Sequence, residues 1–106
     1  MIFERAATND GQPIAEEDRC VTCHRPPLYT SRMRNGIGAH SPSDTVEDFD
    51  VPHLLGISRS APYLHDGRAM TLEEIWTVHA EHDTHGLVND LSKEQLNDLV
   101  EFLRTL

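Results

Sequence analysis

Positive charge is scarce in this chain. Nine lysines and arginines stand against eighteen aspartates and glutamates, a formal net charge of −9 with histidine neutral. That balance argues against nucleic acid and anionic membranes as partners and suits a basic protein. Apolar residues are also few, at 38% with a mean hydropathy of −0.48, and aromatics make up only 6%. A chain of 106 residues supports one small domain, and this one is under-provided with core. No apolar run approaches the length of a membrane span. The strand–helix–strand context of a thioredoxin-like dithiol is missing, and there are no repeats or low-complexity segments. Cysteine is limited to Cys20 and Cys23, so a four-ligand zinc site lacks the second close pair it usually brings.

What is present is the run Cys20-Val21-Thr22-Cys23-His24. Two thiols three residues apart on a helical turn can bond to the two vinyl groups of one porphyrin. The next residue then projects an imidazole at the iron. One haem c is therefore the expected cofactor, held through Cys20 and Cys23 and ligated by His24. A largely apolar macrocycle would also supply the missing core, as metals and disulfides do in other small domains. Haem attachment to this motif belongs outside the bacterial cytoplasm, so a periplasmic or otherwise extracytoplasmic location is expected. Ile2, Phe3 and Ala6 open the chain on a helical beat with no cap before it. The expectation is a single mono-haem domain over residues 1–106, excised from a larger exported protein, with no membrane insertion by this segment.

Few helices are expected, and they are well punctuated. The first covers residues 2–8 and ends before Asn9-Asp10-Gly11-Gln12-Pro13. A short second one starts near Ile14, has Glu16, Glu17 and Asp18 in its first turn, carries the haem motif and stops at Pro26-Pro27. Residues 28–60 show no sustained helical or strand period, and a loop that long in a small domain is usually functional. Its acidic stretch, residues 44–50, reads as the most mobile part. The third helix starts at Thr71, with Glu74 completing a capping box, and Leu72, Ile75, Trp76 and His79 share one face. The last helix starts at Ser92 with Gln95 as its box partner and Leu91/Leu96 as a staple. Its stripe of Leu96, Leu99, Val100 and Leu103 should pack across the first helix.

Residues 51–75, centred on Ala61-Pro62-Tyr63-Leu64-His65-Asp66-Gly67, resemble the C-terminal haem domain of the bacterial dihaem cytochrome c peroxidase/MauG superfamily. Residues 91–106 are similar to that domain's final helix, and Ile2-Phe3-Glu4-Arg5 to the run ahead of its haem motif. The resemblance implies an all-α protein with the class I cytochrome c fold, one covalently attached haem and a long haem-wrapping loop.

The sixth iron ligand decides the chemistry. In the peroxidases the distal Met of the high-potential haem lies fourteen residues after the His of the His-Asp-Gly turn, and a Tyr takes its place in MauG-type relatives. Fourteen residues after His65 is His79, which also ends the apolar stripe of the third helix. His24 and His79 are thus the expected metal ligands. Met70, just before the Thr71 cap, and His82, one turn past His79, are the alternatives, and Met33 in the wrapping loop is a weaker one. His40, His53 and His85 read as surface or loop hydrogen-bonding residues.

Trp76 reads as a core residue against the porphyrin, and Tyr63, Arg59 and Arg68 as hydrogen-bond partners for haem propionates. Pro26 is placed to offer a carbonyl to the second ring nitrogen of His24. In the dihaem peroxidases, carbonyls matching residues 60–62 help bind calcium at a domain interface. The domain that completes that site is not in this chain. An iron with two protein ligands relays single electrons, to a redox partner protein or another domain of the same parent. The rival reading is a peroxidase or oxygen-activating site with an open or displaceable sixth position, for which Glu81, His82 and His85 are the acid–base candidates.

Overall fold

The computed structural model describes residues 1–37, 43–79 and 83–106. Residues 2–8 do not form the expected helix. The chain makes a turn in which the Arg5 amide donates to the Ile2 carbonyl at 3.3 Å, and Ala7 then pairs with Pro13 in an isolated bridge. Seven residues are too few to hold a helix without tertiary help. Gly11, at φ 88°, folds the strand back, so that Thr8 and Ile14 spend their amides across the turn at 2.8 and 2.9 Å. Phe3 still reaches the core, 5.1 Å from the Phe102 ring and 5.7 Å from Tyr29.

The expected second helix is divided. A 3₁₀ turn, Glu16–Asp18, is followed by an extended Arg19 and then by helix α1, Cys20–Cys23. His24 has already left helical geometry ahead of Pro26 and Pro27. The long segment after it contains a two-stranded antiparallel ladder, β1 (Arg34–Asn35) with β2 (Phe49–Asp50), pairing Arg34 with Asp50 and Asn35 with Phe49. Strands of two residues are too short to display an alternating pattern. The acidic stretch is tied down at both ends. Asp44 meets His65 at 2.9 Å, and the Phe49 ring stacks on the same imidazole at 4.0 Å.

A 3₁₀ turn, Ile57–Arg59, leads to the Tyr63–Ala69 bridge, which encloses the His65-Asp66-Gly67 turn. Gly67 sits at φ 71°, where a side chain would strain the backbone and meet Pro62 at 3.0 Å. Helix α2 is only Glu74–Thr77. Thr71 Oγ1 accepts from the Glu74 amide at 3.3 Å as expected, but the Glu74 carboxylate reaches back to the Met70 amide at 2.8 Å. Helix α3, Lys93–Arg104, keeps the full Ser92/Gln95 capping box and buries Leu99, Val100 and Leu103. These three join Phe3, Leu54, Tyr63, Ala69, Leu72 and Ile75 in one core, with Cys20, Val21, Tyr29 and Trp76 packed on its edge. Among the described residues no helix is long and apolar enough to cross a membrane.

Candidate functional site

Helix α1 is a single turn, and it sets both thiols against the protein. Cys20 lies against the core, and Asn35 Nδ2 donates to Cys23 Sγ at 3.3 Å. Both are free thiols, and burial pushes both above the ordinary cysteine range. An activated redox cysteine shows the opposite shift, toward the thiolate. Among the described residues, moreover, no group of three or more His, Cys, Asp or Glu is arranged to hold a metal ion.

His24 is half-buried, and its Nδ1 lies 3.0 Å from the Tyr29 carbonyl oxygen. A carbonyl only accepts, so Nδ1 carries the proton and the Nε2 lone pair is kept for a metal. The partner is Tyr29 and not Pro26, because the chain turns at Tyr29 (φ 57°) and aims that carbonyl back at the ring. Burial lowers the His24 pKa, with the carbonyls of Tyr29 and Pro52 acting against it. The ring is therefore neutral at neutral pH, the form that ligates. Two protonated thiols and one oriented neutral imidazole are the donor set that a covalent haem requires.

The structure adds a residue that the sequence placed at the surface. His85 Nδ1 is sealed from solvent and has no hydrogen-bond partner among the described residues. Burial lowers the pKa of His85 to about 4, with the nearby charge of His24 contributing. Its loop is held from several sides. Trp76 Nε1 donates to the His85 carbonyl at 3.0 Å, and the Leu87 amide donates to the Asp18 carbonyl at 3.0 Å. The Asp83 carboxylate accepts from the amides of Val88 and Asn89, both at 2.9 Å. Gly86, at φ 78°, lies so close that an added Cβ would come 3.8 Å from Cys20 Sγ. No local pattern signals this burial, which depends on contacts between segments far apart in the chain.

The other expected site residues are dispersed. His79 is half-buried at the end of α2, where its amide bonds to the Glu74 carbonyl at 3.2 Å. Met70 and Met33 are exposed, at 65% and 61%. Trp76 is half-buried on the core, its ring 6.1 Å from that of His85. The Tyr63 hydroxyl donates to the Ile57 carbonyl at 3.0 Å, and Arg68 forks onto Asp66 at 2.6–3.0 Å. Arg59 is exposed and lies over Gly56. His53 is exposed as expected, whereas His40, Glu81 and His82 lie outside the described residues.

No family model matches the chain. Over 64 residues, 59% of this chain, it is 42% identical to the hydrazine synthase subunit gamma of Kuenenia stuttgartiensis. Over an alignment of 116 residues covering 92% of the chain, it is 27% identical to the cytochrome c551 peroxidase of Nitrosomonas europaea. These matches span 18% and 33% of the two curated relatives, so the chain corresponds to a third of their length at most. Among solved structures it superposes on a chain of Kuenenia stuttgartiensis hydrazine synthase pressurized with xenon. The TM-score is 0.73 at 22% identity, covering 97% of this chain and 50% of that one. The fold is shared with that half-chain.

Proposed function

We propose that the chain is a mono-haem c-type cytochrome domain of the class I type that relays single electrons. The observation that carries this reading is the α1 turn, where Cys20, Cys23 and a tautomer-fixed His24 form one donor set. Cys20 and Cys23 would hold the haem, each Sγ–H adding across one vinyl double bond so that no oxidant is consumed. His24 would ligate the iron through Nε2, and a second imidazole would complete its ligation. His79, fourteen residues after His65 and at the end of the Leu72/Ile75/Trp76 stripe, is the candidate for that place. When bound, haem supplies a one-electron iron couple.

The protein's own residues do the positioning. Tyr29 orients His24, and Leu72, Ile75 and Trp76 provide an apolar wall. Arg59 remains available to a propionate, whereas Tyr63 and Arg68 are engaged with Ile57 and Asp66. Similarity to a hydrazine synthase subunit and to a cytochrome c551 peroxidase supports a haem protein of cytochrome type. The electron-transfer assignment follows the resemblance to the C-terminal domain of the dihaem peroxidases. An extracytoplasmic location follows from where such haems are attached. The partner is a basic redox protein or another domain of a longer parent chain.

The test is electrochemical. The haem-loaded protein should show reversible one-electron voltammetry, negligible peroxide turnover and weak carbon monoxide binding when reduced. Enzyme-like peroxide turnover from a high-spin resting ferric state would replace this reading with the peroxidase one.

A further inference from the structure

Resting on the haem reading above, we propose that Asn35 is the positioning residue for the second thioether bond, its side-chain amide holding Cys23 Sγ for addition to a vinyl group. The two thiols are held by different means. Cys20 packs on the edge of the core beside Val21, so apolar contact fixes it. Among the described residues, Cys23 does not join that packing. It is the last residue of α1, and its sulfur is met instead by Asn35 Nδ2 at 3.3 Å, from twelve residues further along the chain. A cysteine sulfur is a weak acceptor and remains one as a thioether, so the contact can serve before and after attachment. In that step sulfur bonds to one vinyl carbon, the Sγ–H proton goes to the other, and the vinyl π bond is consumed. The Asn35 amide donates to sulfur, so it does not compete for the thiol hydrogen.

Asn35 is half-buried and held from several sides. It pairs with Phe49 in the β1–β2 ladder, which the Val51 amide extends by donating to the Met33 carbonyl at 2.8 Å. The Phe49 ring stacks on His65, and Asp44 binds the same imidazole. Thr30 Oγ1 donates to the Val51 carbonyl at 2.6 Å, which ties the ladder to the segment that follows the haem motif. Beside Asn35, Gly36 runs so close to the returning chain that a Cβ there would come 2.8 Å from Asp48 Oδ1 and 3.2 Å from the Glu47 carbonyl oxygen. The ladder closes this tightly because position 36 carries no side chain. A donor braced in this way keeps the Cys23 sulfur in one place, and an addition between two fixed atoms depends on such placement. The long loop thereby reaches the haem motif through a single side-chain contact to the thiol that the core does not hold.

The experiment uses the full chain, expressed with haem-maturation machinery, as wild type, Asn35→Leu and Asn35→Asp. Both variants are close to asparagine in size, and both lack the N–H donor. After denaturation in acid, remaining thiols are alkylated and located by peptide mass spectrometry, and the spectrum of the reduced haem in alkaline pyridine is recorded. Wild type should hold its haem through both sulfurs. Each variant should show about fivefold more alkylation at Cys23, the size of effect that one net hydrogen bond allows, with Cys20 still bonded. The pyridine band should move to longer wavelength, because one vinyl group stays conjugated with the macrocycle. In the reduced wild type, nuclear magnetic resonance should place the Asn35 side-chain amide protons beside the Cys23 β-protons, a measurement that stands if neither variant folds. Full attachment at both cysteines in the variants overturns the assignment while leaving the electron-transfer reading intact. So does equal alkylation of Cys20 and Cys23 or loss of the whole haem, the mark of a residue that only stabilises the fold. A wild-type Asn35 amide remote from Cys23 overturns it as well. A wild type that carries no covalent haem fails the functional proposal itself, and this one with it.

Discussion

Arg5 and Asp90 join the two ends of the chain at the scale of single residues. The guanidinium grips both carboxylate oxygens and the Leu87 carbonyl, while the Asn9 amide donates to Asp90 at 2.7 Å. The Arg5 hydrogen bond holds the Asp90 carboxyl below its ordinary range. Its contribution to stability is therefore fully present above about pH 3.9, the ordinary carboxylate value, and lost as pH falls through the lower folded value. Asp90→Asn should cost about 1 kcal/mol in urea unfolding at pH 7, an amount suited to a partly exposed pair, and the difference from wild type should vanish in acid. Cys20, Cys23 and His24 were legible as a unit because the proposed attachment to one porphyrin requires their spacing. The Tyr29 carbonyl contact to His24 and the burial of His85 Nδ1 were not, because each depends on a left-handed turn or a distant loop that no local pattern announces.

Helix α3 shows what a strong local signal does at the scale of elements. Twelve residues with a capping box and a three-residue buried stripe fold as their pattern requires. Ser92→Ala should cost about 1 kcal/mol through the lost N-cap. Leu99→Ala should cost about 2–5 kcal/mol, since Leu99 is 1% exposed and a cavity would remain. Chemical denaturation of the haem-loaded protein checks both, and the second loss should clearly exceed the first. Residues 2–8 carried a similar apolar beat without length or cap, and backbone pairing across Gly11 took the Thr8 amide and the Ala6 carbonyl instead. The ladder between Arg34–Asn35 and Phe49–Asp50 was invisible for a different reason, since two-residue strands hold no period.

The molecule as a whole is ordinary in size and thin in core. Its radius of gyration is 13.2 Å, close to the roughly 13 Å of compact chains this long. Its surface of 6658 Å² exceeds the roughly 6,000 Å² usual for this mass. The polypeptide buries less than most chains of its size, so Cys20→Ser or Cys23→Ser should lower folded yield as well as haem retention. The net charge of −9 acts at the same scale. Electron exchange with a basic partner should slow as salt is raised from 10 mM to a value on the order of 0.5 M, where the screening length falls well below the size of the surface. Stopped-flow rates that do not depend on salt would remove the net negative charge from partner recognition.

The central claim is that Cys20 and Cys23 hold one haem. Its most direct test is the mass and colour of the protein after denaturation in acid and organic solvent, following expression with haem-maturation machinery. The account predicts a coloured polypeptide heavier by the mass of a single haem, with no thiol left to alkylate. A colourless chain of unmodified mass with two reactive thiols would contradict it.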